Sequence, residues 1–497
     1  MNCDYIIVQA GGTGTRLEHL TINKPKALVP INNLPMIFNL FNLFPKKEFI
    51  IIGDYKKEVL KKYLATFAEV KYQIIDADGK GTCGGIQKAL KSIPPNETFM
   101  LIWSDLVLPK NFIIPKKSGN YVGISKTFEC RWSYIKKSFI EEKSKEYGVA
   151  GLFIFEDKEV ISDVPTSGEF VEYLSTKNIT FNNCDLTGTC EFGLLSEYNK
   201  LEINKSRPFN KITIDGDIFI KEPITDHGKE LAKKEINWYK EIKKLGFNSI
   251  PNIIKYDPLT MENIKGKNIY EYKDISIEKK KEILKKILEE LDKLHNLSTQ
   301  NINEKSIEDT YINKTFNRIN KIQDLVPFAK DEFIYINDNK CKNIFFYKNE
   351  LIKKIKEIKI KEFNLIHGDC TFSNIMLKDD SKPIFIDPRG YFGETLLYGD
   401  KNYDYAKLYY SVVGDYDRFN LKDFRLKINE KDVTLSITTN GWKELEDYFF
   451  ENINADKNII KLLHAIIWIS LTTYAWQDYD SICGAFYNGL LYLKEVL

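Results

Sequence analysis

Three branched apolar residues, Ile6-Ile7-Val8, run almost directly into Ala10-Gly11-Gly12-Thr13-Gly14, and Arg16 follows close behind. This break constrains the chain more than any other stretch. An apolar run bounded by glycine reads as a buried central strand, and the glycines as the loop leaving its carboxyl end. Glycine lets backbone N–H groups approach a ligand closely, and phosphate is the usual occupant of such a nest. A tight connection between strand and helix would use the same residues, so the loop alone decides nothing. The runs "FIIIGDY", "VKYQIID", "FMLIWSD", "YVGIS" and "GVAGLFIF" repeat the rhythm up to about residue 200. Apolar runs alternating with helical segments predict an α/β domain with a mostly parallel, Rossmann-like sheet.

A chain of 497 residues exceeds one ordinary domain, and 43% hydrophobic residues suffice for sizeable cores. Seventy-two basic residues against 70 acidic leave a net charge of +2, so no global field favours nucleic acid or an anionic membrane. The eight cysteines include no C-x-x-C pair, which argues against a disulfide framework or a zinc site and suits a reducing cytosol. No signal-peptide pattern precedes the first strand. The apolar stretch Leu462 to Trp476 is interrupted by His464, Ser470, Thr472 and Thr473. It is expected to be a core helix, too short to span a bilayer. Together these features predict a cytoplasmic protein without nucleic-acid or membrane partners, with self-association left open.

The pattern turns polar between residues 198 and 206, which places one domain at 1–200 and a second at 205–497. The second opens with strands "KITID" and "DIFIKE", joined at Asp215-Gly216-Asp217, a hairpin signal. Helices follow. From Ser276 to His295, the residues Ile283, Leu284, Ile287, Leu288, Leu291 and Leu294 share one face, with the lysines expected opposite. His295 is expected to be a packed core histidine. The aromatic and acidic run 473–487 has the helical spacing of core packing, although a box for a cationic group would use the same residues.

Arg16 follows the glycine loop, and Lys26 lies further on within "KPKALVPI". Nucleotidyl transfer needs such an arrangement: loop amides hold a nucleoside triphosphate while fixed cations neutralise the α-phosphate and the departing pyrophosphate. Read together, "QAGGTGTRL…NKPKALVPINNLPMI" resembles the signature of the sugar-phosphate nucleotidyltransferase family, over nearly all of residues 1 to 195. The resemblance implies nucleotide binding by Gly11, Gly12, Thr13 and Gly14, with Arg16 and Lys26 catalytic. "GKGTCGGIQKAL" is similar to the family's second glycine motif, implying that Gly81, Gly84 and Gly85 close over base and sugar. Asp105, after the strand "FMLIW", is implied as a Mg²⁺ ligand, as expected for an aspartate at a strand's carboxyl end. Asp185, three residues before Gly188, is implied as the second ligand with its register open, and Glu169 as a group near the acceptor.

"LIHGDCTFSNIML" is followed by "IFIDPRG". Phosphoryl transfer to a hydroxyl needs a carboxylate to orient the hydroxyl and take its proton, and an oxygen pair to hold Mg²⁺ on the phosphates. Asp369 fits the first role, and Asn374 with Asp387 the second. H-G-D-x-x-x-x-N before an apolar strand ending in aspartate resembles the small-molecule kinases that include aminoglycoside phosphotransferases and choline kinases, across residues 205 to 497. The resemblance implies a bilobal, protein-kinase-like α+β domain with an N-lobe at about 205–265 and a C-lobe at about 266–497. It also implies Lys221 on the nucleotide phosphates, Glu235 as its ion-pair partner with Glu230 competing, and Asn210 in the glycine-free nucleotide loop "SRPFNK". The hinge at Met261 to Asn263 would meet adenine. Asp404 would anchor the catalytic loop, and Arg389 would bind an anionic group or pair with a carboxylate.

The two resemblances imply a bifunctional enzyme needing Mg²⁺ at both sites, ATP, a second nucleotide (CTP, GTP or UTP) and a small hydroxylated acceptor. Its product would be an activated sugar or polyol for surface glycan synthesis. Two alternatives stand beside it: an aminoalcohol kinase joined to a CTP-dependent cytidylyltransferase, and a degenerate nucleotidyltransferase-like module with a regulatory or scaffolding role.

Overall fold

In a computed structural model of the chain, residues 3–201 and 210–497 are described. The chain forms two compact units: Met1–Ile203 with Trp476–Asp480, and Asn204–Ala475 with Ser481–Leu497.

The first unit is built on strands β1 (Cys3–Gln9), β2 (Glu48–Gly53), β3 (Lys71–Asp76) and β4 (Thr98–Trp103), parallel in the order β3-β2-β1-β4. Ile6, Ile7, Val8 and Phe49 through Ile52 are fully buried, as strands covered on both faces require. Helices α1 (Met36–Leu43), α2 (Lys57–Phe67) and α3 (Gly81–Leu90) lie between these strands in the chain, and α4 (Phe170–Ser175) follows further on. The sheet continues as a mixed one. Strand β6 (Gly148–Phe155) is antiparallel to β4 and to β5 (Tyr121–Ser125), and β7 (Asn182–Asp185) runs parallel to β5. Gln9 pairs with Trp103, so the loop after β1 and the turn holding Asp105 emerge at the same sheet end. After Gly14 the chain enters a short 3₁₀ helix, Thr15–Thr21, and not an α-helix.

The run Trp476–Asp480 departs from the expected assignment of all of 205–497 to the second domain. Trp476 packs on Phe38 and Phe67, with ring centroids 5.4 and 5.8 Å apart, and the Tyr63 hydroxyl donates to its carbonyl. Buried Lys24 pairs with Asp478 at 3.1 Å and with Asp480. A buried ammonium is tolerated only when paired, so these carboxylates are committed to Lys24. No local periodicity in 473–487 signals that pairing.

The second unit begins with the hairpin β8 (Asn210–Asp215) and β9 (Ile218–Pro223), which turns at Gly216 (φ 56°). With β10 (Ile253–Tyr256) and β11 (Leu259–Glu262) they form an antiparallel sheet ordered β8-β9-β11-β10. Helix α5 (Asp226–Lys244) follows β9, its start capped by the Thr225 side chain. The helical part includes α6 (Ile277–Asn296), α7 (Lys314–Ile322), α8 (Lys401–Val412), α9 (Lys457–Leu471) and α10 (Tyr479–Lys494). The six apolar residues named for α6 are buried as their spacing demands. Lys280 departs from the solvated lysine face: it is buried and donates to the Gly441 carbonyl at 2.5 Å. The helical run Lys457–Ala475 is longer than its apolar stretch because Lys457 and Lys461 extend it. At 19 residues and mean hydropathy 1.2 it has the length and composition to cross a membrane, contrary to expectation. It is mostly buried, and α9 packs on α8 and α7 as a core helix.

Candidate active sites

In the first unit the glycines divide their labour. Gly12 and Thr13 are exposed, and a Cβ on Gly12 would meet nothing within 4 Å. Gly14 holds φ 65°, and a Cβ there would stand 2.9 Å from Thr21 Cγ2, so the turn needs glycine. Gly11 abuts Asp54, where a Cβ would lie 2.9 Å from Asp54 Cβ. The second motif differs from expectation. Gly84 is buried against the Thr166 carbonyl, and Gly85 against the Ile52 side chain. They seat α3 on the sheet and on the 166–168 loop and do not present a surface to base or sugar. Gly81 is exposed at the start of α3, where a Cβ would meet the Gly168 carbonyl at 2.6 Å.

Lys26 and Asp105 form an ion pair whose side chains are each 12% exposed. Arg16 is exposed beside them. A Cβ on Gly193 would lie 3.3 Å from Lys26 Nζ and 3.4 Å from Arg16 Nη2, so both cations converge on one point. Glu191 shares this point, and its residue pairs with Leu106 in a two-stranded ladder. Burial raises its carboxyl pKa, Asp105 adds to the rise, and Lys26 and Arg16 oppose it. Glu191 escaped the sequence reading because that ladder joins segments far apart in the chain.

Asp185 does not take the place expected of it. It is exposed at the end of β7, and its Oδ1 accepts from Thr187 N at 2.9 Å and Thr187 Oγ1 at 2.7 Å. These bonds lower its pKa, with Lys126 assisting. The extra residue before Gly188 thus becomes a local turn, and the carboxylate facing Asp105 is Glu191. Glu169 precedes the helix Phe170–Ser175, half-exposed, with Arg131 at 3.5 Å.

In the second unit Lys221 Nζ on β9 reaches Glu235 on α5 at 2.8 Å and Asp387 at 2.7 Å. Glu230 is exposed, so Glu235 is the partner. Burial works against the Lys221 charge, yet Asp387 and Glu235 outweigh it and raise its pKa. Asn374 Nδ2 donates to the Asp369 carboxylate at 2.9 Å and to its carbonyl at 2.7 Å. Lys407 Nζ lies 2.9 Å from the other carboxylate oxygen. Fully buried Asp404 accepts from the backbone N–H groups of His367 (2.8 Å) and Gly368 (2.7 Å) and lies 3.1 Å from His295 Nε2. That network fixes the turn carrying Asp369.

The hinge residues are less available than expected. Met261 is buried in the ladder between Ile253 and Phe219. The N–H groups of Glu262 and Asn263 already donate to the carbonyls of Asn252 and Asp217, both at distances under 3 Å. Antiparallel pairing, invisible in the local sequence, consumes them. Asn210 begins β8 opposite Pro223, while residues 206–209 of its loop lie outside the described residues. Arg389 donates to the Tyr403 hydroxyl at 3.1 Å and lies 4.4 Å from the Tyr391 ring centre. Among the described residues, no cluster of three His, Cys, Asp or Glu side chains has the arrangement of a metal cage.

Residues 5–162 match the family of nucleotidyl transferases. The D-glycero-alpha-D-manno-heptose 1-phosphate guanylyltransferase of Campylobacter jejuni is 36% identical over 101 residues, 19% of this chain and 45% of that protein. The glucose-1-phosphate cytidylyltransferase of Salmonella typhimurium is 39% identical over 64 residues, 12% of this chain and 25% of that protein. The chain therefore spans less than half the length of these curated relatives. Among solved structures, HddC from Yersinia pseudotuberculosis is similar at 22% identity and a TM-score of 0.35, over 40% of this chain and 97% of that one. By sequence, the region 5–162 belongs to the nucleotidyl transferase family.

Proposed function

We propose that the chain is a bifunctional enzyme. Its second unit phosphorylates a hydroxyl of a small sugar or polyol with ATP. Its first unit then transfers a nucleoside monophosphate from a second triphosphate onto that phosphate. In the first step the acceptor oxygen attacks the γ-phosphorus, the bond to the β,γ-bridging oxygen breaks, ADP leaves, and the hydroxyl proton passes to Asp369. In the second, a phosphate oxygen of the acceptor attacks the α-phosphorus, the α,β-bridging bond breaks, and pyrophosphate leaves.

One contact carries the two-activity reading: Lys221 Nζ bridging Glu235 and Asp387 at 2.8 and 2.7 Å. Phosphoryl transfer is mostly positioning and charge neutralisation, and a lysine locked by a helix glutamate beside a metal-binding aspartate is its recurring device. Asn374 turns its amide nitrogen to Asp369, leaving its oxygen for a cation, and Asp387 is 46% exposed. These two residues fit a hard cation such as Mg²⁺, as do Asp105 and Glu191 in the first unit. Bound there, the ion would neutralise phosphate charge. Arg16 and Lys26 would meet the triphosphate, for which the open loop at Gly12 leaves room. The names of the relatives, a heptose 1-phosphate guanylyltransferase and a glucose-1-phosphate cytidylyltransferase, favour a sugar phosphate acceptor with GTP or CTP, serving cytoplasmic synthesis of a surface glycan precursor.

The aminoalcohol alternative is weakened by Lys24, which occupies the carboxylates of Asp478 and Asp480 that a cation box would need. A panel of nucleoside triphosphates crossed with neutral sugars, sugar phosphates and aminoalcohols, with ADP and pyrophosphate measured separately, tests the proposal. Release of both products with a sugar-type acceptor is expected. ADP only with aminoalcohols would favour the alternative, and neither product with any acceptor would favour a non-catalytic module.

A further inference from the structure

Beside Asp369 the second unit gathers cations that the steps above do not use. Lys314 and Arg318 stand on α7, Lys407 on α8 and Arg389 on the segment after Asp387. They meet around Tyr403. Lys314 Nζ lies 5.4 Å and Lys407 Nζ 6.0 Å from its ring centre, and Arg389 donates to its hydroxyl at 3.1 Å. Arg318 sits 5.7 Å from the ring centre of Tyr474 and donates to the Ser470 carbonyl. All four are partly buried.

Their charge is unevenly compensated: burial works against Arg389 and Lys407, but Tyr403, Tyr391 and Asp369 outweigh it at Arg389 and Asp369 does so at Lys407, whereas Lys314 and Arg318 are pushed down. Lys407 pairs with Asp369 at 2.9 Å, whereas Lys314, Arg318 and Arg389 form no ion pair with a carboxylate among the described residues. Burial pushes the Lys314 pKa well below its ordinary value, Arg389, Arg318 and Lys407 push it further, and Asp369 opposes them only in part. Burial, then Arg389, lowers Arg318 as well. Cations withdrawn from water without partners cost several kcal/mol, so such a group is retained where a ligand supplies the missing negative charge. The sheet bearing Lys221 contributes none of the four. They come from the helices and the segment flanking Asp369, where the acceptor hydroxyl would stand.

We infer that the acceptor phosphorylated by the second unit already carries an anionic group, a phosphate or a carboxylate, which seats among Lys314, Arg318 and Arg389 while its hydroxyl faces Asp369. This rests on the kinase role proposed above and narrows its substrate class. The phosphorylated product then bears two anionic groups, and the nucleotide-linked product keeps one beyond the diphosphate. The four cations repel a quaternary ammonium, which sets this class apart from aminoalcohols.

The test is calorimetric titration of the full-length chain, in the presence of Mg²⁺ and saturating ADP, with glucose, gluconate, glucose 6-phosphate and choline as probes. At least one anionic probe is expected to bind about 10-fold or more tighter than glucose, and choline not at all. The ratio of gluconate to glucose 6-phosphate identifies carboxylate or phosphate as the preferred group. Arg318→Gln and, as an independent variant, Lys314→Met should each weaken the anionic probe roughly 10-fold to 100-fold, the worth of a charge-assisted contact. Lys293→Ala, an exposed lysine on α6 that pairs with Glu290, should leave it unchanged. Equal binding of neutral and anionic probes, or loss of ADP affinity in place of probe affinity, would overturn the inference. A separate ADP titration keeps the two levels apart. If Lys221→Met weakens ADP binding while the probes fail, the kinase role stands and only the anionic class falls. If Lys221→Met leaves ADP binding untouched, the kinase role fails and takes the inference with it.

Discussion

The two candidate sites are held in different ways. In the first unit the cations Arg16 and Lys26 and the carboxylates Asp105 and Glu191 face one another across an open loop, and among the described residues Lys26 with Asp105 is the one ion pair they form. In the second unit nearly every candidate is locked before any ligand arrives. Asp404 holds the turn at Asp369, Asn374 holds the Asp369 carboxylate, and Glu235 holds Lys221. A loop-built site draws its shape from glycine packing and from the ligand. A network-built site draws it from buried hydrogen bonds, so its supporting residues carry stability as well as activity.

That contrast is sharpest at Asp404. Replacing it by Ala strands three donors in a fully buried place, and each buried unsatisfied group costs about 1–3 kcal/mol. A loss of roughly 3–9 kcal/mol is expected in the second unit, read as faster amide exchange in α8 and the Asp369 turn. Exchange in β1 to β4 should be unchanged. No local support of comparable size stands behind Arg16, and Arg16→Ala should leave exchange in both units unaltered.

Next in size are the site carboxylates themselves. With the pre-phosphorylated acceptor supplied for the second step, Asp387→Ala should cut ADP formation by ~10²-fold or more and spare pyrophosphate release, and Asp105→Ala should do the reverse. Loss of both products in either folded variant would erase the distinction between the sites.

A smaller effect separates the units by pH. Four of the five histidines, His227, His295, His367 and His464, lie in the second unit, and His19 alone in the first. Burial lowers the His464 pKa to about 3, with Lys461 and Lys443 adding, and burial also lowers that of His367. Both native values lie below the unfolded value near 6.5, so the unfolded chain takes up the proton first. The stability is present above about pH 6.5 and is lost as pH falls, at about 1.4 kcal/mol per unit for His464. Exchange corrected for intrinsic rate at pH 7 and pH 5 should show roughly 2 kcal/mol lost in α9 and little change in β1 to β4.

The smallest effect concerns the second carboxylate of the first site. Glu191→Gln should raise the Mg²⁺ concentration for half-maximal nucleotidyl transfer several-fold, because Glu191 faces Asp105. Asp185→Ala should leave that curve in place, because its carboxylate is spent on Thr187. The opposite pattern would restore Asp185 as the ligand.

What the sequence disclosed and what it hid follow the same divide. The turn His367–Asp369 and Asn374 were legible because their geometry is set within one short segment. Lys221 was legible from its strand, but the choice of Glu235 over Glu230 needed the buried face of α5, where Trp238 and Ile242 also sit. Parallel strands were legible as unbroken apolar runs. Glu191 stayed hidden because a non-local ladder brings it to Asp105, and Gly84 and Gly85 misled because close packing and ligand approach ask for the same residue. Lys314 and Arg318 gave no signal, since a lysine and an arginine on an amphipathic helix usually face water. Only the tertiary placement of α7 and α8 sets them around Tyr403.

The central claim is that one chain carries two separable phosphate chemistries. Its most direct test measures ADP and pyrophosphate together, with one acceptor and both triphosphates, for Asp369→Asn and Lys26→Ala. The account predicts that Asp369→Asn stops ADP formation yet releases pyrophosphate when given the pre-phosphorylated acceptor, while Lys26→Ala forms ADP and releases no pyrophosphate. If both folded variants lose both products, or if wild-type chain yields only one, the two-site account is wrong.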